Sequence, residues 1–81
     1  MWRAVTHDGR THDARVGPGG AYIARVILLK NGRGSQFLVI RNNDSWTTVA
    51  RGTVYGRHRD ALRVTLAVAR EFVAADKAAK S

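Results

Sequence analysis

An 81-residue chain is long enough for one domain and too short for two. It contains no cysteine, which excludes disulfides and thiolate metal sites, and its longest apolar stretch, Tyr22 to Leu29, is broken by Arg25 and falls far below the roughly 20 residues that cross a bilayer. The formal net charge is +8, from 14 Lys+Arg against 6 Asp+Glu; only Lys30, Lys77 and Lys80 are lysines, so the excess is arginine, whose planar fork grips phosphates and carboxylates two bonds at a time.

The chain opens with a tandem repeat, Thr6-His7-Asp8-Gly9-Arg10 followed by Thr11-His12-Asp13-Ala14-Arg15. Asp8-Gly9 is a two-residue hairpin signal, because Gly supplies the positive φ of a type I′ turn. The expected hairpin, within residues 1–16, pairs Trp2–His7 with Arg10–Val16 and sets Val5 opposite His12. Gly17-Pro18-Gly19-Gly20, residues 17–20, interrupts any regular element and reads as a loop or hinge inside one domain. Residues 21–55 then carry three strand-like runs. Ala21–Lys30 has Tyr22, Ala24, Val26 and Leu28 on one face and Ile23, Arg25, Ile27 and Leu29 on the other, which suits a central strand. Lys30-Asn31-Gly32-Arg33-Gly34-Ser35 is a turn, Gln36–Arg41 the next strand, Asn42-Asn43-Asp44-Ser45 a second turn, and Trp46–Tyr55 the last strand, with a bulge expected at Gly52. Residues 57–79 read as one helix. Leu62, Thr65, Leu66, Ala69, Phe72 and Val73 recur at helical spacing beside Ala61 and Val68, and the tail beyond Asp76 is expected to fray.

The expected fold is therefore α+β, a small antiparallel sheet of an N-terminal hairpin plus a three-stranded meander, packed against one long C-terminal helix. The six aromatics, Trp2, Tyr22, Phe37, Trp46, Tyr55 and Phe72, are spread along the elements in the manner of core anchors.

Charge placement suggests a polyanionic partner. Arg57, His58 and Arg59 stand at the helix start, beside the positive end of the helix dipole, where each cation costs about 0.3–1 kcal/mol. Free backbone N–H groups and two guanidinium forks there could hold a phosphate; alternatively the helix begins later, capped by Asp60, and the arginines are simply solvated. Arg59, Arg63, Arg70 and Lys77 share a narrow sector of the helix, either a rail of phosphate contacts or a solvated face. Arg25, Arg41 and Arg51 lie in or at the end of the three strands and would read a groove if the register puts them on one face. Lys30 and Arg33 make the intervening turn donor-rich. In the expected hairpin Arg10 lies opposite His7, an unfavourable place for a divalent cation, so no metal and no cofactor is expected. No nucleophile elbow, phosphate-binding glycine loop or paired glutamates occur, and an enzyme is not expected.

The stretch Trp46 to Ala75, a strand running through Gly-Thr-Val-Tyr-Gly into Arg-His-Arg-Asp-Ala-Leu, resembles the last third of a double-stranded-RNA-binding domain, a family that sets basic residues at the start of its final helix against phosphates. Residues 1–20 depart from it, showing no helical period where that family has its first helix. The strands-then-helix order from Tyr22 also resembles the arm-binding domains of phage integrases, which lay a three-stranded sheet in the major groove. Both resemblances lie at the level of fold, which carries no function by itself.

The expectation is a small, non-enzymatic, nucleic-acid-binding protein that favours duplex DNA, with RNA as the other polyanion. An alternative is a phage-type adaptor or inhibitor that docks its arginines on an acidic protein surface. No membrane association is expected, since the helix's apolar face is claimed by the sheet. A cytoplasmic location is expected, and an exposed edge strand or alanine-rich helix face could pair two copies.

Overall fold

The computed structural model describes residues 2–80. Five strands follow one another in a meander: β1 (Arg3–Ala4), β2 (Thr11–Val16), β3 (Tyr22–Leu28), β4 (Gly34–Asn42) and β5 (Trp46–Tyr55). Each pairs antiparallel with its neighbours in the chain, so the N-terminal hairpin and the meander are one open sheet, β1-β2-β3-β4-β5. A single helix, α1 (His58–Lys80), covers one face of that sheet. The architecture is the expected α+β domain.

Alternation along β3 decides which face is covered. Tyr22, Ala24 and Val26 are buried, and register carries the same inward face to Ala14 on β2 and Val39 on β4. Tyr22, Ala24, Val39 and Ala69 form the centre of the core, with Trp2, Val16, Val49, Ala50, Val68, Phe72 and Val73 packed around it. The helix meets the sheet through Ala61, Thr65 and Ala69, all fully buried and spaced by four. These short side chains let the helix axis approach closely, while the larger Leu62, Leu66 and Phe72 are only half-buried. Thr65 satisfies its hydroxyl inside this seam by donating to the Ala61 carbonyl at 2.6 Å.

Four local expectations are corrected. The first hairpin pairs Ala4 with His12, one residue out of the expected register, and β1 stops at Ala4. Residues 6–9 form a turn within a longer loop instead: the Gly9 amide donates to the Thr6 carbonyl, Gly9 takes φ +67°, and the Asp8 carboxylate accepts from the Thr6 hydroxyl and the Arg10 amide. Side-chain turn chemistry thus displaces the two-residue loop. The bulge lies at Val49, because Val39 faces Ala50 while Ile40 faces Thr48. Gly52 pairs regularly with Phe37, and a Cβ there would stand 2.7 Å from the Phe37 ring, so that glycine serves a close approach. The helix does not fray after Asp76 but runs to Lys80, and Tyr22 and Arg41 hold Asp76 from the sheet. Residues 3–16 contribute strands, where a double-stranded-RNA-binding domain has its first helix.

The glycine-rich loop becomes a single 3-10 turn, Pro18–Gly20. Gly17 enters it at φ +89°, where a Cβ would lie 2.8 Å from Val73 on the helix, so the loop is pressed against α1 and is no hinge.

Candidate functional site

The meander brings three segments to one end of the molecule: the β1–β2 loop, the β3–β4 turn and the junction of β5 with α1. The Gly56 amide donates to the Arg33 carbonyl at 3.3 Å, and Gly34 pairs with Tyr55, so the turn carrying Lys30 and Arg33 lies against the segment carrying Arg57 and Arg59. Lys30 also borders a shallow depression with Thr6, Asp8, Arg10 and Ile27, which joins the β1–β2 loop to the same end.

At this end α1 begins at His58, with the Arg57 carbonyl accepting from the amides of Asp60 and Ala61. The helix therefore starts early. Arg57 is its cap, Arg59 lies in its first turn, and Asp60, the acidic residue of that turn, binds Arg63 at 3.1 Å. The side chains of Lys30, Arg33, Arg57 and Arg59 make no ion pair or hydrogen bond among the described residues. All four are exposed.

His58 is different. Its ring turns inward, with Nδ1 3.1 Å from the buried Ser35 hydroxyl and Nε2 3.1 Å from His12 Nδ1. Burial, then the nearby His12, holds its pKa below the ordinary imidazole value of about 6.5. His58 thus pins the helix start to β2 and β4 rather than presenting charge. Among the described residues no three potential ligands gather for a metal ion.

The remaining sequence candidates divide between the two sides of the sheet. Arg63 and Arg70 are exposed on the helix; Arg70 borders a groove with Trp2, Ala14, Val16 and Leu66 and makes no ion pair among the described residues. Arg25 and Arg51 share the open face of the sheet, on one rung that runs Arg3, Asp13, Arg25, Leu38, Arg51 across all five strands. Arg25 is occupied there: Asp13 accepts two bonds from it, at 2.8 and 2.9 Å, and this pairing raises the guanidinium pKa. Arg41 pairs with Tyr22 in register and so points to the opposite, helix-covered face. It donates to the Tyr22 hydroxyl and to Asp76, Tyr22 donates to Asp76, and the three residues tie β3, β4 and the end of α1 together.

Four of the six acidic residues are thereby taken up by four arginines: Asp8 with Arg10, Asp13 with Arg25, Asp60 with Arg63 and Asp76 with Arg41. The charge excess is left on the arginines that no acid reaches. Arg3, Arg15 and two aromatics, Trp46 and Tyr55, belong to the exposed set that the sequence pattern did not single out. Trp46 and Tyr55 stand at the two ends of an edge strand, where nothing covers them, and are not core anchors. Set against protein-family models, curated proteins and solved structures, the chain matches none.

Proposed function

We propose that this is a small, non-enzymatic, nucleic-acid-binding protein that grips duplex DNA by arginine–phosphate contacts at its basic end. The observation that carries the reading is the gathering of Lys30, Arg33, Arg57 and Arg59, four exposed cations with no ion pair among the described residues and from two segments distant in sequence, at the end of the molecule where a 23-residue helix begins. A fold seeking only stability gains nothing from that arrangement, because like charges at a helix N-terminus repel one another and the dipole. Arg70 adds an exposed cation farther along α1, at the groove beside β2.

The test is a salt series with duplex DNA. Four phosphate contacts give a slope of log K against log salt of about −3 to −4, and Arg57→Ala with Arg59→Ala shallows it by about two. Binding that ignores salt, or survives loss of all four cations, overturns the proposal. Nuclease-resistant capture of an acidic protein, with no affinity for any oligonucleotide, would instead support the adaptor reading.

A further inference from the structure

The face of the sheet away from α1 is uncovered and carries two exposed aromatic rings. Trp46 is 52% and Tyr55 79% exposed. They are nine residues apart on one strand, and strict alternation would put them on opposite faces. The extra residue at Val49 reverses the parity midway, so that Trp46, Thr48, Arg51, Thr53 and Tyr55 all lie on the open face while Val49 and Ala50 both pack into the core. Tyr55 lies against Gly34, where a Cβ would approach its Cδ1 to 3.4 Å, so one edge of the ring rests on β4 while most of its surface stays exposed. The ring is followed directly by Gly56 and Arg57, so the strand leads into the basic end.

Charge on this face is one-sided. Arg3, Arg15, Arg25 and Arg51 belong to it by register, and the one acid among the described residues of its strands, Asp13, is held by Arg25. Arg51, between the two rings along the strand, has no partner among the described residues. Exposed rings interleaved with an unpaired guanidinium suit a polyanion whose bases are free to stack. The bases of a duplex are already stacked on one another, whereas those of a single strand can lie on aromatic side chains for about 1–3 kcal/mol each.

Resting on the nucleic-acid reading above, we propose that the open face of β5 holds unpaired nucleotides: the bases stack on Tyr55 and Trp46, Arg51 contacts the backbone between them, and the strand continues from phosphates held at the basic end. The preferred ligand is then a duplex with a single-stranded extension.

The experiment compares a blunt duplex, the same duplex with an extension of about eight nucleotides, and the isolated single strand, all at one salt concentration. The extension tightens binding about tenfold, the equivalent of stacking one or two bases. It also quenches Trp46 fluorescence, read without interference in a Trp2→Phe background. Trp46→Ala with Tyr55→Ala abolishes the gain from the extension and leaves blunt-duplex affinity unchanged. Equal affinity for blunt and extended duplexes, or a gain that survives the double substitution, overturns this inference while the basic-end reading stands. Failure of all three ligands to bind overturns both.

Discussion

The two copies of the Thr-His-Asp pentapeptide are nearly identical in sequence and share almost nothing in structure. In the first, Asp8 closes a turn, His7 is exposed, and Arg10 donates to the Leu28 carbonyl at 2.9 Å. In the second, His12 touches His58, Asp13 binds Arg25, and Arg15 is exposed. Position in the fold assigns the role, and the partners of His12 and Asp13 are distant in sequence, which is why the repeat alone does not reveal it. The histidine contact makes stability depend on pH. With the folded-state pKa of His58 depressed, the unfolded chain binds the proton more readily, so stability is intact above about pH 6.5 and declines as pH falls below it. His12 and Ser35 are the groups this ring touches, and neither supplies a compensating negative charge. Melting temperature is expected to drop between pH 7.5 and 5.5, and His58→Gln should flatten that slope whatever its own stability. Equal slopes would place the titration elsewhere. At the other end of the helix, Tyr22→Phe removes the hydroxyl shared by Arg41 and Asp76. A loss of about 1 kcal/mol is expected, read as a melting shift of about 4–8 °C; no shift would mean that Arg41 and Asp76 close on each other without cost.

At the scale of elements, the seam between helix and sheet is the most constrained part of the molecule. Ala61, Thr65 and Ala69 leave no room between α1 and β3–β4. Ala69→Leu should therefore destabilise by about 1–3 kcal/mol, lowering the denaturation midpoint, while Ala67→Leu on the exposed side leaves it unchanged. A midpoint unaffected by Ala69→Leu would show that the helix can lift from the sheet. The helix, the three later strands and the inward face of β3 were legible in the sequence because each rests on a periodicity that local residues carry. Two features were not. The register of the first hairpin depends on whether Asp8 and Thr6 close the turn with their side chains, a competition between two local geometries of similar cost. The bulge falls between Thr48 and Ala50, where no glycine, proline or break in composition marks it, and it alone decides which side of the sheet Tyr55 faces. The candidate site was legible as a list of cations but not as a place: only the register shows that Arg41 faces the helix while Arg25 and Arg51 share the open side.

For the molecule as a whole, two of the four ion pairs, Asp13–Arg25 and Asp76–Arg41, tie elements together and the other two are local, while the exposed arginines outside these pairs lie at one end, on the helix and across the open sheet. Neither edge of that sheet is bare of protection. β1 is two residues long, and the bulge at Val49 bends β5 away from a flat template for another strand. Among the described residues no helix is long and apolar enough to cross a membrane. The meander has a further consequence, for the order in which the chain folds. Every strand pairs with its neighbour in sequence, so the loops that must close to build the sheet are short. The helix is the exception: Tyr22 meets Asp76 across 54 positions and His12 meets His58 across 46. Low contact order speeds the sheet and leaves one distant docking event as the slow entropic step. Until α1 arrives, Tyr22, Val26 and Val39 face water, so the hairpins are formed early but committed late, and the last 23-residue element is the one that makes folding cooperative.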